Sequence, residues 1–127
     1  MHNVCFGRLV MYTNAILEKS LNFAVRIVKL RQHLVSTKKE YSLSGQIQRA
    51  GTSIGANVAE AQRAQSTPDF AAKMGIAIKE AGETEYWLKV LHATGYLTDV
   101  QFDSLYADLA EILRLLTAIC RKVNALH

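Results

Sequence analysis

Proline occurs once in these 127 residues and cysteine twice, and each scarcity removes a class of architecture. A chain with Pro68 as its single proline and half its residues hydrophobic is composed like a helical domain, not a turn-rich sandwich or a disordered tail. Cys5 and Cys120 stand far apart without a second pair, which excludes a disulfide framework and a cysteine zinc site. Without a secretory signal they fit a reduced, cytoplasmic protein. No apolar run is long enough for a membrane span, since even Ile112 to Cys120 is broken by Arg114. No glutamate is followed by histidine three residues later, so the di-metal carboxylate site of ferritin-like bundles is missing. His33 and His92 are single histidines, better suited to surface or packing roles than to ligation. No Ser, Thr or Cys has a base at a recognised nucleophile spacing, and Gly51 and Gly55 lack the strand and Lys-Ser/Thr pair of a phosphate loop. The expectation is a protein that is not an enzyme, with no catalytic residue, metal or cofactor.

What is present is helical periodicity, clearest between Leu43 and Phe70. Leu43, Ile47, Ala50, Ile54, Val58 and Ala61 recur at steps of three and four, which places them on one helix face. Beside them Gly51, Gly55 and Ala59 follow at intervals of four, a line without large side chains that allows close helix packing. Each mid-helix glycine costs roughly 1 kcal/mol against alanine, so a packing reason is implied. Ser66-Thr67-Pro68-Asp69 marks the next boundary, with Thr67 as the expected cap, Pro68 in the first turn and Asp69 at the positive end of the dipole.

Residues 1–13 have no clean period and read as an N-terminal extension, with Met11 as an alternative start. Residues 14–127 then read as helices over about 14–35, 41–65, 68–94 and 99–123. The first carries two apolar stripes, Leu17, Leu21, Ala24, Val28, Val35 and Ile16, Phe23, Ile27, Leu30, Leu34, more than one core face requires. The excess implies a second buried surface. The third sets Phe70, Met74, Ala77, Ala81, Thr84, Leu88 and Leu91 inward and stops at Gly95. The fourth opens on the capping box Thr98-Asp99-Val100-Gln101 and keeps Phe102, Leu105, Leu109, Ile112, Leu116, Ile119 and Val123 in register. Helices of about 35–40 Å joined by short links form an all-α, up-down-up-down antiparallel four-helix bundle.

Charge is unevenly placed. Residues 1–50 hold eight Lys/Arg against two Asp/Glu, and residues 51–127 hold seven against nine. Arg26, Lys29, Arg31, Lys38 and Lys39 gather toward the end of the bundle that holds the first and third connections, with Lys89 nearby, where phosphates would be attracted. Lys38 and Lys39 also follow a helix C-terminus, where cations are favoured without a partner. Antiparallel register sets Arg49 level with Glu83 and Glu85, and Glu60 level with Lys73, which predicts two interhelical ion pairs. Asn57 is expected to make a polar contact within the bundle or across an oligomer. Glu83 and Glu85 diverge by about 200° on a helix and do not share a proton. Tyr86, Trp87 and Tyr96 adjoin a core stripe, which favours packed or interfacial roles over base stacking.

Arg49-Ala50, Ser53-Ile54 and Asn57-Val58-Ala59-Glu60, followed by Ser66, Asp69-Phe70, Glu83-Thr84-Glu85 and Gly95-Tyr96-Leu97, resemble the four-helix-bundle family named for proteins encoded in intervening sequences of 23S ribosomal RNA genes. The resemblance covers about residues 14–123 and departs at Ala61, where glycine is usual, and at Thr84, where leucine is usual. Accessory variability proteins of diversity-generating retroelements belong to the same broad family, and this chain resembles the intervening-sequence branch more. The resemblance implies a homo-oligomer, a pentameric ring, with no catalytic residues. It also implies RNA or a nucleic-acid-bound protein such as a reverse transcriptase as partner. The expected function is an oligomeric, non-enzymatic bundle that binds RNA or a nucleoprotein through a basic surface. The alternative is a protein-interaction scaffold without nucleic-acid binding.

Overall fold

Each helix ends where nearby groups satisfy the backbone that the turn sets free. In the computed structural model, which describes residues 2–125 with side chains from Met11 onward, α1 spans His2–Lys38, α2 Ser42–Ala61, α3 Thr67–Ala93 and α4 Asp99–Ala125. No strand occurs among the described residues. Helix α1 packs on α2 and α4, and α3 packs on the same two, so that α1 faces α3 and α2 faces α4 only diagonally. The result is an antiparallel four-helix bundle.

The first reversal takes three residues. Lys39 adopts a positive φ of 56°, and the Glu40 amide donates back to the Leu34 carbonyl at 3.0 Å. The buried Glu40 carboxylate then accepts from the amides of Leu43 and Ser44 at 2.9 and 2.8 Å, while Ser44 Oγ donates to the Glu40 carbonyl. A side chain in the connector thus caps α2. Ser66, not Thr67, caps α3: its Oγ accepts from the Asp69 amide at 3.1 Å, and Asp69 accepts from the Gln65 amide in return. Thr98 and Gln101 form both bonds of a capping box at 3.1 and 2.9 Å. Gly95, at φ 86°, supplies the left-handed residue after α3.

Two boundaries differ from the expected ones. Helix α1 does not start at Asn14 but continues through the stretch read as an extension, where one glycine and no proline leave the backbone free to stay helical. Helix α2 stops at Ala61 instead of Gln65, because Gln62, Arg63 and Ala64 donate to carbonyls three residues back and tighten the last turn.

The core runs the length of the bundle. Ile16, Phe23, Ile27 and Leu34 enter it from α1, Ile47, Ile54 and Val58 from α2, and Met74, Leu88 and Leu91 from α3. Leu109, Ile112, Leu116 and Ile119 complete it from α4. Of the two α1 stripes, one is therefore core, while the other is half-buried, with Leu21 exposed at 64%. A Cβ on Gly51 would lie 3.0 Å from two carbons of Ile27, and one on Gly55 would lie 3.3 Å from the Ser20 backbone oxygen. Ala59, expected on the same line, is exposed, so the close approach ends near Gly55. Because the fully buried Ile27 has nowhere to move, Gly51→Ala is expected to lower stability by about 1–3 kcal/mol. Gly82→Ala, with nothing within 4 Å of the added carbon, is expected to raise it by about 1 kcal/mol. Urea unfolding measures both, and the reverse order would contradict the close approach.

Candidate functional site

Three of the four seams between neighbouring helices are crossed by polar links. Between α1 and α4, Arg26 meets Asp108 at 2.5 Å and Ser104 Oγ at 2.9 Å, Lys19 meets Glu111 at 2.6 Å, and Lys122 lies over the Tyr12 ring at 5.1 Å. Between α2 and α3, Arg49 pairs with Glu80 at 3.0 Å and with Glu83, and Lys73 pairs with Glu60 at 3.0 Å. Between α3 and α4, Tyr106 donates to Glu85 at 2.6 Å and His92 meets Asp99 at 2.7 Å, while Phe102 stacks against both His92 and Tyr106. Trp87 Nε1 donates to Glu83, and its ring meets Tyr86 edge-on.

The α1–α2 seam carries no such link among the described residues. Its outer side is instead a groove of about 630 Å³ lined mainly by Leu17, Leu21, Ala24, Gly55, Ala56 and Ala59. Exposed Met11 and Val25 extend the apolar character of α1 on either side. The sequence held the signal for this surface in the Leu17, Leu21, Ala24 stripe of α1, although periodicity alone did not say which stripe would face outward.

The five basic candidates divide. Arg26 is engaged by α4, and Lys39 Nζ turns back to the Ser36 carbonyl at 3.1 Å. Lys29, Arg31 and Lys38 have no acidic partner among the described residues. Lys29 lines a shallow depression with Ala24, Val25 and Val28, and Arg31 reaches over Gly45 of α2. Lys89 sits 4.0 Å from Glu85. Among the polar contacts, Arg49 takes Glu80 and Glu83, whereas Glu85 turns to α4. Asn57 donates to the Ser53 carbonyl of its own helix at 2.8 Å. Tyr86 is exposed, while Trp87 and Tyr96 are half-buried against the core. No group of three metal-ligating side chains and no helix apolar enough to cross a membrane occurs among the described residues.

Residues 13–118 match the family described as 23S rRNA-intervening sequence protein. The chain belongs to that family. No curated protein matches it. A crystal structure of a protein with unknown function from the S23 ribosomal protein family of Bacteroides thetaiotaomicron is 52% identical. The match has a TM-score of 0.86 and covers 87% of this chain and 98% of the other.

Three pKa shifts in this intervening-sequence family member follow the seam contacts. The hydrogen bond and charge of Glu111 raise Lys19, and those of Glu60 raise Lys73, against a small opposing desolvation. The hydrogen bond to Glu85, then its charge, hold the Tyr106 phenol above its ordinary value of 10.0. The unfolded phenol ionises first, so this contact stabilises fully below that value and fades as pH rises through the folded one. Glu85→Gln is expected to lower the alkaline transition of Tyr106. Ultraviolet difference titration against Tyr106→Phe isolates that residue, and an unchanged transition would place the cause elsewhere.

Proposed function

We propose that this chain works without catalysis, as a bundle that associates with copies of itself through the α1–α2 groove and holds RNA on the basic flank of α1. The observation that carries the reading is a juxtaposition: among the described residues, the one seam without a polar link adjoins Lys29, Arg31 and Lys38, none of which has an acidic partner. A leucine at 64% exposure beside alanine and glycine is covered more favourably by another chain than by water, gaining about 1.5–3 kcal/mol when fully buried. Repetition of the chain around an assembly multiplies the three cations, and phosphates are their natural counterions.

No base-reading motif accompanies them, so affinity follows charge and falls with salt. A scaffold reading without nucleic acid is favoured by the pairing of Arg26 with Asp108, which neutralises one of the expected five cations. Titrating nuclease-treated protein into single-stranded RNA over a salt series separates the two. Salt-dependent binding is expected, with at least tenfold loss when Lys29, Arg31 and Lys38 are all changed to Glu at unchanged helicity and particle mass. An assembly with no affinity at low salt would contradict RNA binding and leave the scaffold.

A further inference from the structure

Helix α4 partitions its charge. Asp99, Asp103, Asp108 and Glu111 occupy its first half, whereas Ile112 to Ala125 holds Arg114, Arg121 and Lys122 and no acidic residue. Three of those acids are engaged by His92, Arg26 and Lys19, and Lys122 is packed over Tyr12. Arg114 and Arg121 are exposed and have no acidic partner among the described residues. Seven residues apart, they share one face at about 10.5 Å along the helix axis.

Between them Leu113, Thr117 and Ala118 line a groove of about 420 Å³. The Thr117 hydroxyl makes no hydrogen bond among the described residues, whereas Thr52, Thr84 and Thr94 each donate to a carbonyl four residues back. The helix dipole favours Arg121, near the C-terminal end of α4, but does not account for Arg114. Its pull on cations falls off within the last turn, and Arg114 lies eleven residues before the end of α4.

We propose that this half of α4 is a second RNA contact, in which Arg114 and Arg121 hold two phosphates of one strand and Thr117 donates to a phosphate oxygen between them. Guanidinium groups match phosphate oxygens through two parallel N–H bonds, which the ammonium groups of Lys29 and Lys38 on α1 do not provide. Backbone contacts of this kind position a strand without reading its bases. Helix α4 does not pack on α2, and none of its residues lines the α1–α2 groove. The proposal rests on the RNA reading above and adds a place where the strand lies.

The full-length chain carrying both Arg114→Gln and Arg121→Gln tests it, with a single-stranded RNA oligonucleotide followed by fluorescence anisotropy across a salt series. Helicity and particle mass should hold, while the slope of log affinity against log salt becomes shallower by about 1.4, two contacts at roughly 0.7 each. The matching double lysine variant, which keeps the charge, should recover most of that slope. A glutamine variant with the wild-type slope and affinity would overturn the α4 contact alone, because wild-type binding would still sustain the RNA reading. Wild-type protein without affinity at low salt would overturn both.

Discussion

The close approach of α1 and α2 constrains the rest of the bundle. Gly51 brings Ile27 against the α2 backbone and Gly55 admits the Ser20 backbone, so the two helices meet with little between them. Residues flanking such a line are short on one side, here Thr52, Gly55, Ala56 and Ala59, and no charged pair bridges the seam among the described residues. The outward stripe of α1 is then left beside a floor of small residues. A groove results that is apolar because the helices are close.

The other seams are organised differently. Arg26, Lys19, Arg49 and Lys73 cross them to carboxylates that are mostly solvated, and exposed pairs of this kind contribute about 0–1 kcal/mol each. Their effect is on register. A core of interchangeable aliphatic residues tolerates sliding of one helix along another, and opposite charges at fixed heights oppose it. Glu80, the most buried of these carboxylates at 18% side-chain exposure, gives the α2–α3 seam its firmest anchor.

Much of this was legible in the sequence because strong local rules act alone there. The α3 and α4 stripes, Gly95 and the Thr98–Gln101 box are all set by periodicity or capping within a few residues. What escaped depends on tertiary placement. The outward stripe of α1 could be chosen only after α2 and α4 were in position. Arg49 reaches Glu80 and Glu83 because those carboxylates lie on the α2 side of α3, whereas Glu85, two residues on, points toward Tyr106. Arg26 read as a free cation because its partner, Asp108, is 82 residues away in the chain. Glu40 carries no such local signal, and only the three-residue reversal turns its carboxylate onto the α2 amides.

Membership of the 23S rRNA-intervening sequence protein family and 52% identity to a structurally characterised relative of unknown function fix the fold and leave the work of the molecule to its surfaces. In the proposed assembly a second copy of the chain seals the α1–α2 groove. Light-scattering mass of the purified protein, measured beside that of Leu21→Glu, decides whether this assembly forms. A defined multiple of 14.1 kDa is expected for the unaltered chain and a fall to 14.1 kDa, with helicity retained, for the variant. A mass of 14.1 kDa for the unaltered chain, or an assembly indifferent to the glutamate, would contradict it.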